Sequence, residues 1–405
     1  MIKRELYLKK IRPFINKPFI KVITGIRRSG KSAIMMILKE ELIENGINKE
    51  NLIYINFESM QFSDIENEKD LYNYIKEKII NDKTYYIFLD EIQEVKNWEK
   101  AVNSIMLDFK SDVYITGSNS RLLSSELATY IAGRYIEFTI NTLSFKEYLE
   151  FKKAYSKKYN DNIKDAFTKY LRFGGFPVIH TAEYDYEMAY KVINDIYSSA
   201  ILRDTIQRYN IRNIELLERV VKYVFDNLGN IFSAKKVADY FKSQQRKVDL
   251  NTIYNYLNAL ESSFIIQKVQ RYDVKGKEIL QTNEKYYLGD QSLKYAVMGY
   301  KDREISGILE NIVYLELKRR NYKVYIGKIA DKEIDFVAEN KNEKIYVQVS
   351  YKMNNESTIT REFSPLLEIN DNYPKYVVTM DDFWQDNIEG IKHKHISEFL
   401  LMDNF

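Results

Sequence analysis

An α/β fold built on a parallel sheet, with further domains appended, is predicted by three features of the 405-residue sequence. A short apolar run with β-branched residues, Phe19 to Thr24, reads as a buried strand and leads into a glycine loop, Gly25 to Ser32. The loop opens a helical pattern that starts at Ala33 and stops at Gly46. A second apolar run, Tyr85 to Leu89, ends in two adjacent carboxylates, Asp90 and Glu91.

The loop Gly25-Ile26-Arg27-Arg28-Ser29-Gly30-Lys31-Ser32 matches G-x-x-x-x-G-K-[ST] at every required position. Its glycines let successive backbone N–H groups turn inward onto phosphate oxygens, and the helix that follows adds the positive end of its dipole. Lys31 is the charge for the β- and γ-phosphates and Ser32 the hydroxyl for Mg²⁺, so ATP with Mg²⁺ is the predicted cofactor pair. Arg27 and Arg28 can also reach phosphate, although such positions commonly face solvent. At the end of its strand Asp90 is the predicted partner of Ser32 on Mg²⁺. Glu91, one residue on, is placed to polarise the attacking water.

Asn51 to Phe57 and Asp112 to Thr116 read as further strands, the latter running into Gly117-Ser118-Asn119-Ser120. A polar residue ending a strand between the phosphate-loop strand and the acidic strand can contact the γ-phosphate or the water. Ser118 and Asn119 are the candidates, and a plain turn is the equal alternative.

The first 150 residues resemble the AAA+ ATPases, in which polar sensor residues follow such a strand. The resemblance is closer to archaeal and bacterial ATPases related to the STAND group. There the sensor strand is followed by a helix, a Gly-Arg pair, a strand and a Leu-Ser-Phe-Lys-Glu-Tyr-like segment, here Gly133-Arg134, 135–138 and 143–148. The resemblance makes Arg134 a candidate arginine finger, in cis or from a neighbouring subunit, against the alternative of a surface Arg near the strand entrance. A homo-oligomer is one expected consequence of the second arrangement.

Residues 151–212 carry helical periodicity broken by Phe173-Gly174-Gly175-Phe176-Pro177 and are expected to form a helical lid or linker. From 213 to 297 three amphipathic helices, around 214–224, 234–241 and 251–260, precede two short strands, 264–269 and 285–288, the pattern of a winged helix. Thr252 and Asn255 on the third helix, with Arg246, Lys247, Lys275 and Lys277 around it, are the candidate contacts to double-stranded DNA. Docking of a protein partner is the alternative use of such a domain.

The last section, 298–405, resembles the C-terminal domain of the same ATPases and a PD-(D/E)xK nuclease. Glu310 on a helix and Asp335 on a strand match two of the metal-binding acids of such enzymes. Gln348 stands where the second strand carboxylate belongs and Ser350 where the lysine belongs, with Lys352 two residues farther along. Serine cannot supply the lysine's charge, so the domain is predicted to have lost cleavage.

Composition narrows the chemistry. Cysteine is absent and the only histidines are His180, His393 and His395, which excludes disulfides, cysteine nucleophiles and the usual zinc frameworks. With 61 basic and 58 acidic residues the net charge is +3, so any nucleic-acid site must come from local clustering. No apolar run reaches membrane-spanning length and no signal-type segment opens the chain, which predicts a cytoplasmic protein with no membrane partner. The combined expectation is ATP hydrolysis that switches or remodels the appended domains, on DNA or a partner. Two other readings remain: a nucleotide-gated protein-binding sensor with negligible turnover, and an active metal-dependent nuclease.

Overall fold

The computed structural model describes the chain except residues 121–132, 157–159, 245–247, 300–304, 342, 354 and 383–386. It divides into two compact units, one of residues 1–140 with 262–264, the other of 141–261 with 265–405.

The first unit is a five-stranded parallel sheet of β1 (Ile20–Thr24), β2 (Leu52–Asn56), β3 (Tyr85–Asp90), β4 (Ser111–Thr116) and β5 (Tyr135–Thr139), ordered β2-β3-β4-β1-β5. Apolar residues on both faces of β1 and β3 make these strands fully buried, as a sheet covered by helices requires. On one face Ile23, Phe88 and Tyr114 pack with α1 (Glu5–Ile11) and α2 (Lys31–Glu44). On the other Ile20, Val22, Ile87 and Val113 pack with α3 (Glu68–Lys78) and α4 (Trp98–Asp108). An Asn67 capping box starts α3, its side chain bonding the N–H of Asp70 while Asp70 bonds that of Asn67. Because β1 lies between β4 and β5, and β4 between β1 and β3, the C-terminal ends of β1, β3 and β4 emerge side by side. In such sheets this is the edge that binds ligands. At the opposite edge Lys21 and Asp112 form a buried ion pair, and Asp112 also accepts from Asn16 N and Tyr114 Oη, both at 2.9 Å.

The second unit begins with α5 (Phe145–Tyr155), α6 (Ile163–Phe173), α7 (Pro177–His180), α8 (Tyr186–Asp195) and α9 (Arg203–Arg208). Residues 151–212 therefore group with the C-terminal half. Gly174 and Gly175 do more here than interrupt a helix. Gly174 has φ +69°, and a Cβ on it would lie 2.0 Å from Asp290 Oδ1. The Gly175 N–H donates to Asp290 Oδ2 at 2.8 Å, and its carbonyl accepts from Leu143 N at 2.7 Å. The buried Asp290 carboxylate thus requires backbone without a side chain beside it.

Three helices follow, α10 (Ile214–Asp226), α11 (Ala234–Ser243) and α12 (Leu250–Ser262), then the hairpin β6 (Ile266–Asp273) and β7 (Glu278–Leu288) and the short α13 (Ser292–Met298). The strands are longer than the sequence suggests. Moreover, β6 pairs in parallel with β8 (Lys323–Ile329) through Arg271 to Asp273, so the hairpin is the edge of a larger sheet and not a free-standing wing. The sheet has eight strands, ordered β12-β13-β11-β10-β9-β8-β6-β7, with β9 (Lys332–Asn340), β10 (Glu343–Val349), β11 (Lys375–Thr379), β12 (Asn387–Ile388) and β13 (Ile391–His395). It therefore crosses the boundary expected near residue 297. The largely polar stretch 270–284 carries no buried-strand pattern, but its backbone groups still need partners and β8 supplies some of them. The helix α14 (Ile305–Arg319) is buried along most of its length, while α15 (Glu356–Leu367) contributes Phe363 and Leu366 to a core with Ile334, Val337, Tyr346 and Val377. The short α16 (Ile396–Leu401) ends the fold. No helix among the described residues is long and apolar enough to cross a membrane.

Candidate active site

The phosphate loop joins the end of β1 to the start of α2. Gly25, at φ +134°, is held so close to the chain leaving β5 that a Cβ would lie 2.1 Å from Ile140 O, so this position tolerates only glycine. Gly30, at φ +98°, is the N-cap of α2, which points the first N–H groups of a 14-residue helix at the loop. Arg4, buried on the segment before α1, donates through Nη1 to Ser29 O at 2.8 Å and anchors the loop from outside. The Ser29 hydroxyl is buried without a hydrogen-bond partner, an orphaned donor of the kind a phosphate oxygen satisfies. Ser32, in the first turn of α2, is exposed.

Lys31 is 3% exposed. Its Nζ donates to the carbonyls of Gly25 (3.2 Å) and Ile26 (3.4 Å) and lies 3.6 Å from Glu91 Oε1. Burial lowers the Lys31 pKa, and the charges of Glu91 and Asp90 oppose that shift. An ammonium in this setting gains from the arrival of phosphate oxygens, which replace lost water. The residues thus fit a nucleotide phosphate with Mg²⁺.

Asp90 is the last residue of β3 and is fully buried. Tyr54 Oη on β2 donates to its Oδ2 at 2.8 Å, and Thr116 Oγ1 on β4 donates to its Oδ1 at 2.5 Å. The same Thr116 oxygen accepts from Glu91 N at 2.8 Å. One hydroxyl therefore fixes both acids. Glu91 takes a left-handed conformation, φ 54° and ψ 49°, uncommon for a residue with a side chain, and Gln93 Nε2 donates to its Oε2 at 2.6 Å. The sequence singles out Ser118 and Asn119 beyond the end of β4 and does not single out Thr116 or Tyr54. The local signal is a polar residue, Thr116, closing an apolar strand, and its place beside Asp90 comes from the pairing of β4 with β3.

Ser118 and Asn119 are both buried just beyond β4, and Gly117 N donates to Ile23 O at 3.2 Å, so this segment follows β1 to the phosphate-loop edge. Arg27 pairs with Glu58, beyond β2, and Arg28 is exposed at φ +64°. Arg134 is elsewhere. Its carbonyl accepts from Ile20 N at 2.8 Å, which sets it at the start of β5, and its side chain donates to Asn103 Oδ1 at 2.9 Å. The five residues of β5 span about 16 Å from there to the phosphate-loop edge. A finger role for Arg134 in its own chain's candidate site is corrected accordingly: a parallel strand's entrance and its C-terminal end lie on opposite edges.

In the second unit Glu310 on α14 and Asp335 on β9 do converge, and Gln348 on β10 joins them, its Oε1 accepting from Asp335 N at 3.2 Å. The ammonium among them comes from Lys285 on β7, 2.6 Å from Glu333, 3.5 Å from Glu310 and 3.8 Å from Asp335. Tyr287 Oη donates to Glu310 at 2.9 Å. Burial works against the Lys285 charge, yet the charges of Glu310, Asp335 and Glu333 hold its pKa above the ordinary value. Burial raises the Glu310 carboxyl, and burial with the Glu310 charge raises Asp335 well above its usual range. Lys285 and Tyr287 share one face of their strand, as period-two alternation requires; an isolated Lys beside tyrosines is the local signal, and its acidic partners come from the topology of the sheet.

Of the candidate DNA contacts, Asn255 is exposed on α12 and Thr252 half-buried, and Asn251, Tyr254 and Asn258 complete the exposed face. Lys275 and Lys277 are exposed in the β6–β7 turn, where Asp273 Oδ1 accepts from Lys275 N (3.0 Å) and Gly276 N (2.8 Å). Arg246 and Lys247 lie outside the described residues.

Comparison with known proteins places these features in a lineage. Residues 17–149 match the AAA domain family, residues 164–304 a domain of unknown function (DUF8612) and residues 306–396 another (DUF4143). An uncharacterized protein of Haemophilus influenzae is 38% identical over 402 residues, 99% of each chain. The uncharacterized protein MJ1544 of Methanocaldococcus jannaschii is 31% identical, covering 99% of this chain and 90% of its own. Among solved structures, the Aeropyrum pernix ORC1 protein in complex with DNA is 12% identical with a TM-score of 0.33, covering 73% of this chain and 92% of its own. The AMPPCP-bound DnaA of Aquifex aeolicus is 12% identical with a TM-score of 0.30, covering 63% and 85%.

Proposed function

Since this chain belongs to the family of AAA-domain proteins that its full-length relatives in H. influenzae and M. jannaschii represent, we propose that it is a Mg²⁺-dependent ATPase. Hydrolysis switches or remodels its C-terminal half, on DNA. The observation that carries this reading is the arrangement at one sheet edge: Lys31 beside Glu91, with Asp90 and Glu91 both fixed by Thr116. In it Gly25 to Ser32 would wrap the phosphates, Lys31 would neutralise their charge, and Ser32 and Asp90 would hold Mg²⁺, Asp90 directly or through water. Bound Mg²⁺ supplies charge neutralisation for the leaving phosphate. Glu91 holds the proton-accepting carboxylate toward water, and its contact with Lys31 must loosen as the ammonium turns to phosphate. Ser118 and Asn119, buried at the same edge, are the proposed contacts to the γ-phosphate or the water.

The DNA part of the proposal rests on the exposed face of α12 around Asn255 and on the exposed Lys275 and Lys277. The sensor reading is favoured by one observation, the double engagement of Glu91 by Lys31 and Gln93, which would restrain turnover until something releases it. Phosphate release measured with and without duplex DNA separates the two. Steady release above background, increased by DNA, is expected; background release under both conditions removes the ATPase reading.

A further inference from the structure

The nuclease resemblance of the C-terminal unit implies a divalent metal held by Glu310, Asp335 and Gln348, and the residues present do not fit one. Asp335 Oδ2 already accepts from Val349 N at 2.8 Å. Gln348 is spent at both ends, its Oε1 on Asp335 N and its Nε2 on Glu362 Oε2 at 2.9 Å. Lys285, 3% exposed at its side chain, comes within 4 Å of three carboxylates at once. That is the coordination position of a cation, filled by a tethered one. The cluster is also covered. A Cβ on Gly229, in the loop between α10 and α11, would lie 3.0 Å from Glu310 Oε2, and one on Gly307 would lie 2.5 Å from Leu228 O. The loop therefore sits directly on α14 and on the acid that a scissile phosphate would have to approach. Among the described residues no group of three or more Asp, Glu or His side chains is arranged to hold a metal.

We propose that Lys285 is the resident cation of this cluster: its ammonium takes the place among Glu310, Glu333 and Asp335 that a divalent metal would occupy, so the domain binds no metal there and cleaves no nucleic acid. The lysine absent from position 350 is thus not simply lost. An ammonium enters the site from a different strand, where it replaces the metal and holds α14 to β7 and β9. The three acids remain because the fold now needs them as the counter-charges of Lys285.

The test is the melting temperature of the full chain in EDTA and in millimolar MnCl₂, for wild type, Lys285→Ala, Asp335→Asn and the Lys285→Ala/Asp335→Asn double variant. Asp335→Asn leaves Ser32 and Asp90 untouched, so manganese effects at the nucleotide site cancel in the comparison. Any manganese effect in wild type should be unchanged by Asp335→Asn. Lys285→Ala should melt lower and regain about 3 °C or more with manganese, a rescue absent from the double variant. A manganese-dependent rise in wild type that Asp335→Asn removes, or metal-dependent plasmid nicking that Asp335→Asn removes, overturns the proposal. So does a folded Lys285→Ala protein that manganese fails to rescue. If Lys285→Ala does not fold, the wild-type comparison with Asp335→Asn decides alone.

Discussion

Thr116→Val removes one oxygen and keeps the side chain's shape, which makes it the sharpest perturbation of the proposed active site. The lost hydroxyl donates to Asp90 Oδ1 and accepts from Glu91 N, both buried. A hydrogen bond to a charged group is worth about 1.5–3 kcal/mol, and an orphaned buried N–H costs about 1–3 kcal/mol. Tyr54 still holds the other Asp90 oxygen at 2.8 Å, so the carboxylate is only partly released. The expected loss of stability is about 3 kcal/mol, read by urea denaturation. The effect on turnover follows from position: residues that orient a metal ligand commonly change activity about 10- to 100-fold, and here one residue orients Asp90 and Glu91 together. The steady-state ATPase assay should show a fall in kcat of that size, with Thr116→Ser, which keeps the hydroxyl, restoring most of it. Thr116→Val with kcat within about twofold of wild type would refute the idea that this hydroxyl sets the acid pair.

Three other outcomes are expected. Gly174→Ala combines a left-handed φ with a Cβ 2.0 Å from Asp290 Oδ1 and should cost about 4 kcal/mol by denaturation, whereas a loss under about 1 kcal/mol would show that the junction yields easily. Burial pushes His180 down to about 3 from 6.5, so between those values the unfolded chain holds the extra proton. Stability should then fall as pH drops below 6.5, by about 1.4 kcal/mol per pH unit, and His180→Gln should flatten the melting profile between about pH 6.5 and 5; an unchanged slope counts against a neutral buried ring. Replacing Lys275 and Lys277 with Ala should weaken binding to duplex DNA in fluorescence anisotropy and reduce the salt slope by up to about 2, and no change at low salt would exclude the β6–β7 turn from the interface.

The first domain was largely legible because local signals there agree with the global fold. The Gly25–Ser32 loop, the strand before it and the acids at 90 and 91 each carry their own chemistry, and the apolar strands β1 and β3 can only be buried. Partners across the sheet were not legible. Thr116 and Tyr54 acquire their roles from register between β2, β3 and β4, which no single segment encodes. Arg134 shows the same limit in reverse: a Gly-Arg pair near a strand is visible, but which end of the strand faces the ligand depends on its direction in the sheet. The hairpin β6–β7 was shortened because its polar half lacks a buried-strand pattern, though β8 pairs with it all the same. Lys285 was read only as part of a strand. A cation supplied 25 residues before Glu310 and 50 before Asp335 is a feature of topology.

The most direct test of the account is Glu91→Gln, which keeps the side chain's shape and removes its charge. Measured side by side with wild type, fluorescent ATP binding should be retained within a few-fold, because Gly25 to Ser32 and Lys31 remain, while phosphate release falls to background. Equal phosphate release from the two proteins would contradict the assignment of Glu91 and, with it, the reading of this sheet edge as a hydrolytic centre.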